Sequence, residues 1–234
     1  KNLCDLGESP LLSKLIPIAG FCQLPAIDKH LENLSKFNDA EVRQAAIRTA
    51  AMRLREFGSK ADTLRAALGH SDADTKFLAA EGLALAGLDD GVQVLLTGIE
   101  MLQNLTYRER CVLALGKLAN PRALDQLLRL AANEEHALQE SAVEAIGYMK
   151  DSEQANHIYE ILKKFVKGEQ SGLKLRALDG LRWFDSPEGW QLIREQAVEY
   201  EWQIQDHAIE LLGHDSDGKE SIVCLTKLIS DEYS

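Results

Sequence analysis

Aromatic residues make up only 6% of this 234-residue chain, and there are five prolines and no glycine- or serine-rich linker. Scarce aromatics and abundant Ala and Leu argue against a β-sandwich and for close helix-on-helix packing. No run of about 18 apolar residues occurs, so nothing in the sequence reads as a membrane span. A secretory signal pattern is missing too. Lys1 stands where an initiator Met would, which reads as a processed form or a piece of a longer chain. The four cysteines, Cys4, Cys22, Cys111 and Cys224, are scattered without CxxC or any metal-ligand spacing. They read as small apolar residues in a reducing compartment, and the expected location is cytoplasmic.

What is present is a repeated unit. The stretch Tyr107–Asn133 predicts one helix, a break at Asn120-Pro121 and a second helix. Cys111, Ala114, Leu115 and Leu118 fall on one 3.6-residue stripe, and Ala123, Leu124, Leu127, Leu128 and Ala131 form another. Pro121 suits a first helical turn, where its missing N–H costs nothing. Two such helices cannot bury both stripes against each other, so the unit needs neighbours of its own kind. Aligning on Tyr107 brings Val42, Thr75, Leu138, Leu173 and Ile204 into register, at spacings of 31 to 35 residues. Four residues further on stand Ala46, Ala79, Cys111, Ala142, Ala177 and Ala208; nine further on stand Ala51, Ala84, Gly116, Gly147, Arg182 and Gly213. A period of this size signals a helical solenoid.

Helices are predicted near 24–36, 40–56, 60–69, 72–87, 90–103, 105–119, 121–132, 135–149, 152–167, 171–184, 187–199, 201–213 and 218–230. Residues 9–21 read as a divergent second helix that Pro17 should kink or break. Asp39, Asp72 and Ser186 are the expected caps. The whole chain, 1–234, is expected to form one all-α domain: a right-handed α-α superhelix of the ARM/HEAT type with about six helix pairs.

Three segments carry a family resemblance: residues 39–46, 108–118 and 139–147. They resemble the short HEAT-like repeats first noted in phycobilisome lyases. The resemblance implies a polar ladder between repeats. Its acidic side would be Asp39, Asp72, Asn104, Glu135, Gln170 and Glu201, and its basic side Arg43, Lys76, Arg108, Gln139, Lys174 and Gln205. The charges fade toward the C-terminus.

The formal net charge is −11, divided as −1 over residues 1–117 and −10 over 118–234. An acidic body repels phosphate backbones, which excludes general nucleic-acid binding. None of the six histidines, His30, His70, His136, His157, His207 and His214, is followed by Glu, so the His-Glu pairs of iron-dependent helical hydroxylases are missing. His207 and His214 share a helix face with Glu210, and exposed helix residues explain that better than a metal site. Trp183 with Asp179 one turn before it matches the parts of a HEAT-like DNA glycosylase, but the basic face is absent. No phosphate loop, Ser-His-Asp pattern or activated Cys stands out. The expectation is therefore a chain that is not an enzyme and that needs no cofactor and no metal.

The family resemblance also implies that the second helix of each pair lines the concave side. Positions ten and six after the Val42-type residue would then form a groove. In the C-terminal half it holds Tyr148 and Trp183, flanked by Glu144, Asp179 and Glu210, with Arg176 beside them. Aromatics next to carboxylates suit a basic or amphipathic protein or peptide partner. The expected role is a protein–protein scaffold; the alternatives are a structural spacer or regulatory solenoid within a larger protein and, ranked after it, an enzyme of the HEAT-like lyase or hydroxylase type. No nucleic-acid or membrane partner is expected.

Overall fold

The structure, a computed structural model, describes residues 11–133, 137–199, 201–215 and 218–232. Among them there are fourteen α-helices and no strand. They are α1 (Leu12–Gly20), α2 (Ala26–Leu34), α3 (Ala40–Phe57), α4 (Asp62–Ala67), α5 (Ala73–Leu85), α6 (Val92–Met101) and α7 (Leu105–Leu118). There follow α8 (Pro121–Ala132), α9 (Gln139–Ile146), α10 (Ala155–Val166), α11 (Ser171–Phe184), α12 (Pro187–Gln196), α13 (Trp202–Leu212) and α14 (Lys219–Glu232). Short 3₁₀ turns at Asp89–Gly91 and Gly147–Met149 extend α6 and α9. The ladder position Glu135, the histidine His136 and the cysteine Cys4 lie outside the described residues, as do residues 9 and 10.

The chain divides into two compact units, residues 1–118 and 119–234. In the first, α1, α3, α5 and α7 pack in succession, and α2, α4 and α6 lie against them as a second layer. In the second, α9, α11 and α13 pack in succession, with α8, α10 and α12 against them. This is the packing the period demands, because each helix pair leaves an apolar stripe that only the next pair can cover.

Local chemistry sets the helix starts. Asp39 accepts from the backbone N–H of Glu41 at 2.8 Å and of Val42 at 3.1 Å. Asp72 accepts from Thr75 N–H at 3.0 Å, and Ser186 Oγ from Gly189 N–H at 3.0 Å. Asn120 accepts from Arg122 N–H at 3.0 Å, with Pro121 on the first turn. Each satisfies an amide that the helix itself leaves unpaired.

The small-residue row holds throughout: Ala46, Ala79, Cys111, Ala142, Ala177 and Ala208 are each at 0% exposure. Their size lets neighbouring helices approach. The approach is tightest between α9 and α11, where a Cβ built on Gly147 would stand 2.2 Å from the Gly180 carbonyl oxygen. Burial pushes the Cys111 thiol up to about 12, and the Glu81 charge adds to the shift. Cys111 is a packing residue, not a nucleophile.

Two features go beyond the sequence reading. The first is Pro17: of the expected kink or break, the break does not occur, and α1 runs through it. Leu12, Ile16 and Gly20, spaced four apart, are all buried, so packing on α3 holds the helix through the proline. The second is Arg53, buried at 3% exposure. It donates to Asp28 Oδ1 at 2.7 Å, to the Gly20 carbonyl at 2.8 Å and to the Cys22 carbonyl at 2.6 Å. A buried guanidinium is tolerable because these acceptors replace its water. It pins the α1–α2 turn onto α3.

The implied polar ladder is real but works differently. Arg43 donates to Thr75 Oγ1 at 2.9 Å and to the Phe37 carbonyl at 2.8 Å, beyond its contact with Asp72 Oδ2 at 3.4 Å. Arg108 donates to the Ile99 carbonyl at 2.6 Å. Gln139 and Gln205 donate to the carbonyls of Ala131 and Ala197 at 3.0 and 3.2 Å. Arg108, Gln139 and Gln205 hold carbonyls at the end of the preceding helix, which otherwise lack partners, and Arg43 holds one in the α2–α3 connection. A neutral amide does that as well as a guanidinium. At these four positions the ladder loses charge toward the C-terminus and still holds a carbonyl.

Candidate functional site

Counting from the Val42-type residue, positions three, six and ten of each odd-numbered helix point the same way, because they are spaced by three and four residues. In the second unit they form three parallel rows. Glu144 and Tyr148 stand on α9 and its 3₁₀ extension, Arg176, Asp179 and Trp183 on α11, and His207, Glu210 and His214 on and just after α13. The structure thus brings together every residue of the sequence-derived groove.

The aromatic pair forms one stack. The Tyr148 and Trp183 rings lie 4.7 Å apart between centroids with 21° between their planes. The Arg182 guanidinium sits 4.4 Å from the indole centroid. Most of the indole π-surface is therefore already used within the chain, and at 36% exposure Trp183 still presents part of its ring to a partner. Tyr148 is half-buried. Burial first, and the nearby charges of Glu144 and Asp179 next, push its hydroxyl well above the ordinary tyrosine range. It stays a neutral phenol.

The carboxylates are not simply open to solvent. Arg176 Nη1 lies 3.2 Å from Glu144 Oε2 and 3.6 Å from Asp179 Oδ2. His207 Nε2 lies 2.9 Å from Asp179 Oδ1. That hydrogen bond, with the charges of Asp179 and Glu210 behind it, raises the imidazole pKa above its ordinary value against the opposing effects of burial and Arg176. Glu210 is exposed and forms no ion pair among the described residues.

The same arrangement occurs in the first unit. Arg110 Nε donates to Glu81 Oε1 at 2.7 Å and its Nη2 donates to Oε2 in a second, shorter contact. The guanidinium also lies over Phe77 at 5.0 Å and Tyr107 at 5.5 Å, rings that stack on each other at 4.8 Å. A rule joins the three cases: the carboxylate at position six of one repeat takes the cation at position three of the next. Glu81 takes Arg110, Glu144 takes Arg176, and Asp179 takes His207. The sequence reading missed this ladder although its signal was present, as acids at position six alternating with bases at position three one repeat later.

His207 directs Nε2 at Asp179 Oδ1. Among the described residues no group of three or more His, Cys, Asp or Glu side chains is placed to hold a metal. Cys22, Cys111 and Cys224 are free thiols. Among the described residues no helix is long and apolar enough to cross a membrane.

Stacked antiparallel helix pairs, a buried small-residue row and inter-repeat polar ladders define a HEAT-like helical-repeat fold. Solved structures share it. One is the complex of CpcE and CpcF of phycocyanin lyase from Nostoc sp. PCC7120, at 18% identity over 83% of this chain and 80% of that one, with a TM-score of 0.59. Two others are engineered proteins: one at 18% identity over 82% of this chain and 97% of its own (TM-score 0.50), the other at 16% over 96% and 70% (TM-score 0.52). At these identities the likeness is one of fold. No protein-family model matches the sequence, and no curated protein matches it. The expectation that the chain is not an enzyme is overturned by the first of these structures: the fold occurs in a lyase complex, so a helical-repeat architecture gives no ground for denying catalysis.

Proposed function

We propose that the chain is a docking protein whose second unit receives a basic or amphipathic segment of another protein across α9, α11 and α13. The observation that carries this reading is the Tyr148–Trp183 stack, which bridges two consecutive repeats at the solvent-facing register and still leaves Trp183 partly exposed. Aromatic side chains give large contact area at small entropic cost, and truncating such an anchor typically costs about 2 kcal/mol or more of binding. The charge of the C-terminal half, −10 over residues 118–234, favours a cationic partner through faster association.

The ladder refines which carboxylates act. Glu144 and Asp179 already hold Arg176 and His207, so a partner's cation meets them only by displacing Arg176, whose side chain is 47% exposed. Glu210 needs no displacement and is the first carboxylate a partner lysine or arginine would reach. The likeness to a chain of the complex of CpcE and CpcF of phycocyanin lyase supports a reading in which this chain, too, assembles with another protein.

The test is a peptide array of Lys- and Arg-bearing amphipathic segments, probed with the chain and with Trp183→Ala and Glu210→Lys. Selected peptides should bind the parent and lose affinity about tenfold or more with Trp183→Ala. Glu210→Lys should weaken binding less, and mostly at low salt. Equal retention by the parent and a folded Trp183→Ala protein would refute the site.

A further inference from the structure

One arginine breaks the small-residue register. Position nine of the repeat is Ala51, Ala84, Gly116, Gly147 and Gly213 elsewhere, and on α11 it is Arg182. Packing between helices asks for a small side chain there and does not account for a long cation. The guanidinium lies over the Trp183 indole, 4.4 Å from its centre. Its charge also reaches the Tyr148 hydroxyl, where it opposes the upward pull of burial, Glu144 and Asp179 on that pKa. Arg182 therefore belongs to the face that carries the aromatic stack. A guanidinium that lies over a ring uses its flat side, and its N–H donors, which lie in its plane, are left for acceptors at its edge.

The other charges of this face are paired with each other. Arg176 lies 3.2 Å from Glu144 and 3.6 Å from Asp179, and His207 lies 2.9 Å from Asp179. Glu210 and Arg182 are left over. Glu210 is exposed and Arg182 half-buried, and neither side chain forms a hydrogen bond or ion pair among the described residues. Residues 118–234 hold 22 carboxylates against 12 Lys and Arg, so Arg182 stays open amid an excess of acid. A partner therefore meets one open carboxylate and one open guanidinium on neighbouring helices. Helices α11 and α13 pack directly on each other, and packed helices lie about 8–10 Å apart. An extended segment crosses that distance in about three residues.

We infer, given the docking role of this face, that Arg182 is a subsite for a side-chain carboxylate of the docked segment. That segment carries a Glu or Asp for Arg182 about three residues from the Lys or Arg that meets Glu210. The planar fork holds a carboxylate through two parallel hydrogen bonds. The segment as a whole stays cationic, because the −10 of residues 118–234 attracts a base and repels an acid placed anywhere else on it. An acid is tolerated at one position only, so Arg182 fixes the register in which the partner binds.

Fluorescence anisotropy of the full chain tests it with labelled Lys- and Leu-bearing peptides selected by the peptide array. They are acetylated and amidated, so that no terminal carboxylate competes. A single Glu is moved through every position, with Gln at the same position as reference. At one position Glu should bind about three- to tenfold tighter than Gln, and elsewhere weaker. Arg182→Gln should abolish that preference, and Arg182→Lys should keep part of it, since it keeps the charge and loses the fork. Arg129→Gln, the same change of charge on α8 in the other layer, should leave the preference in place. Circular dichroism checks that each variant is folded, and the scan on the parent needs no variant. If the array selects no peptide, the docking role fails and the subsite with it. If peptides bind and lose affinity with Trp183→Ala, yet Glu binds more weakly than Gln at every position, the docking role stands and the subsite is overturned. A Glu preference that survives in Arg182→Gln overturns it too, because another group would then hold the carboxylate.

Discussion

Trp183 on α11 lies flat against Tyr148 of the preceding repeat, at 4.7 Å between ring centroids, so the candidate anchor for a partner is also a seam between repeats. An aromatic pair of this geometry contributes about 0.5–1.5 kcal/mol beyond the area it buries. Trp183→Leu and Tyr148→Leu should each lower the stability of the second unit, and the double variant should lose less than the sum by about 1 kcal/mol. A double-mutant cycle in urea measures this. Strict additivity would show the stack to be incidental.

The Glu81–Arg110 pair should be sensitive to more than charge. Arg110 pairs bidentately with Glu81 and covers Phe77 and Tyr107, and lysine can do neither in the same way. Arg110→Lys should therefore destabilise the first unit, by about 1 kcal/mol for a half-exposed site. The thermal midpoint reads the effect. If the Lys variant melts with the parent, the planar fork adds nothing.

His207 should make the stability of the second unit depend on pH. Its folded-state pKa is raised, first by the hydrogen bond with Asp179, so the protonated form is favoured on folding. The sign follows: the stabilisation is complete below the ordinary imidazole value of 6.5 and is lost as pH rises through the raised value. Thermal midpoints measured across that window should fall with pH in the parent and change less in His207→Gln. If binding of a basic peptide occurs at Asp179, it should strengthen over the same rise in pH, as Asp179 loses its internal cation. A midpoint that rises with pH in the parent alone would contradict the pairing.

Core register has the largest expected effects. Ala142, wholly buried on α9, faces neighbouring helices, and Ala142→Asp places an unpaired carboxylate there at a cost of several kcal/mol. Gly147→Ala forces a Cβ to within 2.2 Å of the Gly180 carbonyl oxygen, a backbone atom that cannot turn aside, and should cost about 1–3 kcal/mol. Chemical denaturation of both variants checks this. A parent-like midpoint for either would show that α9 and α11 do not approach as described.

Much of the architecture was legible because it is repeated. One turn signal is weak, but a small residue every 31 to 35 positions with a stripe on each side repeats the same message six times. Helix starts were readable wherever a cap sits beside a stripe, as at Asp39, Asp72 and Ser186. Pro17 does not break α1, because the burial of Leu12, Ile16 and Gly20 outweighs the local effect of proline. The site was legible as a set of residues, since position six and position ten must share a helix face. Its pairing was not, because the partner of each carboxylate is supplied about 30 residues away and is identified only once the neighbouring helix is in place.

The sequence by itself determined the helices, their order and the face each one buries, since these follow from side-chain spacing and from caps that act over three or four residues. Only the tertiary structure decided that Glu144 and Asp179 hold Arg176 and His207, and that Trp183 already leans on Tyr148. Those outcomes depend on distances between helices, set by how closely Ala142, Gly147 and Gly180 let the backbones meet, and no local pattern encodes a distance.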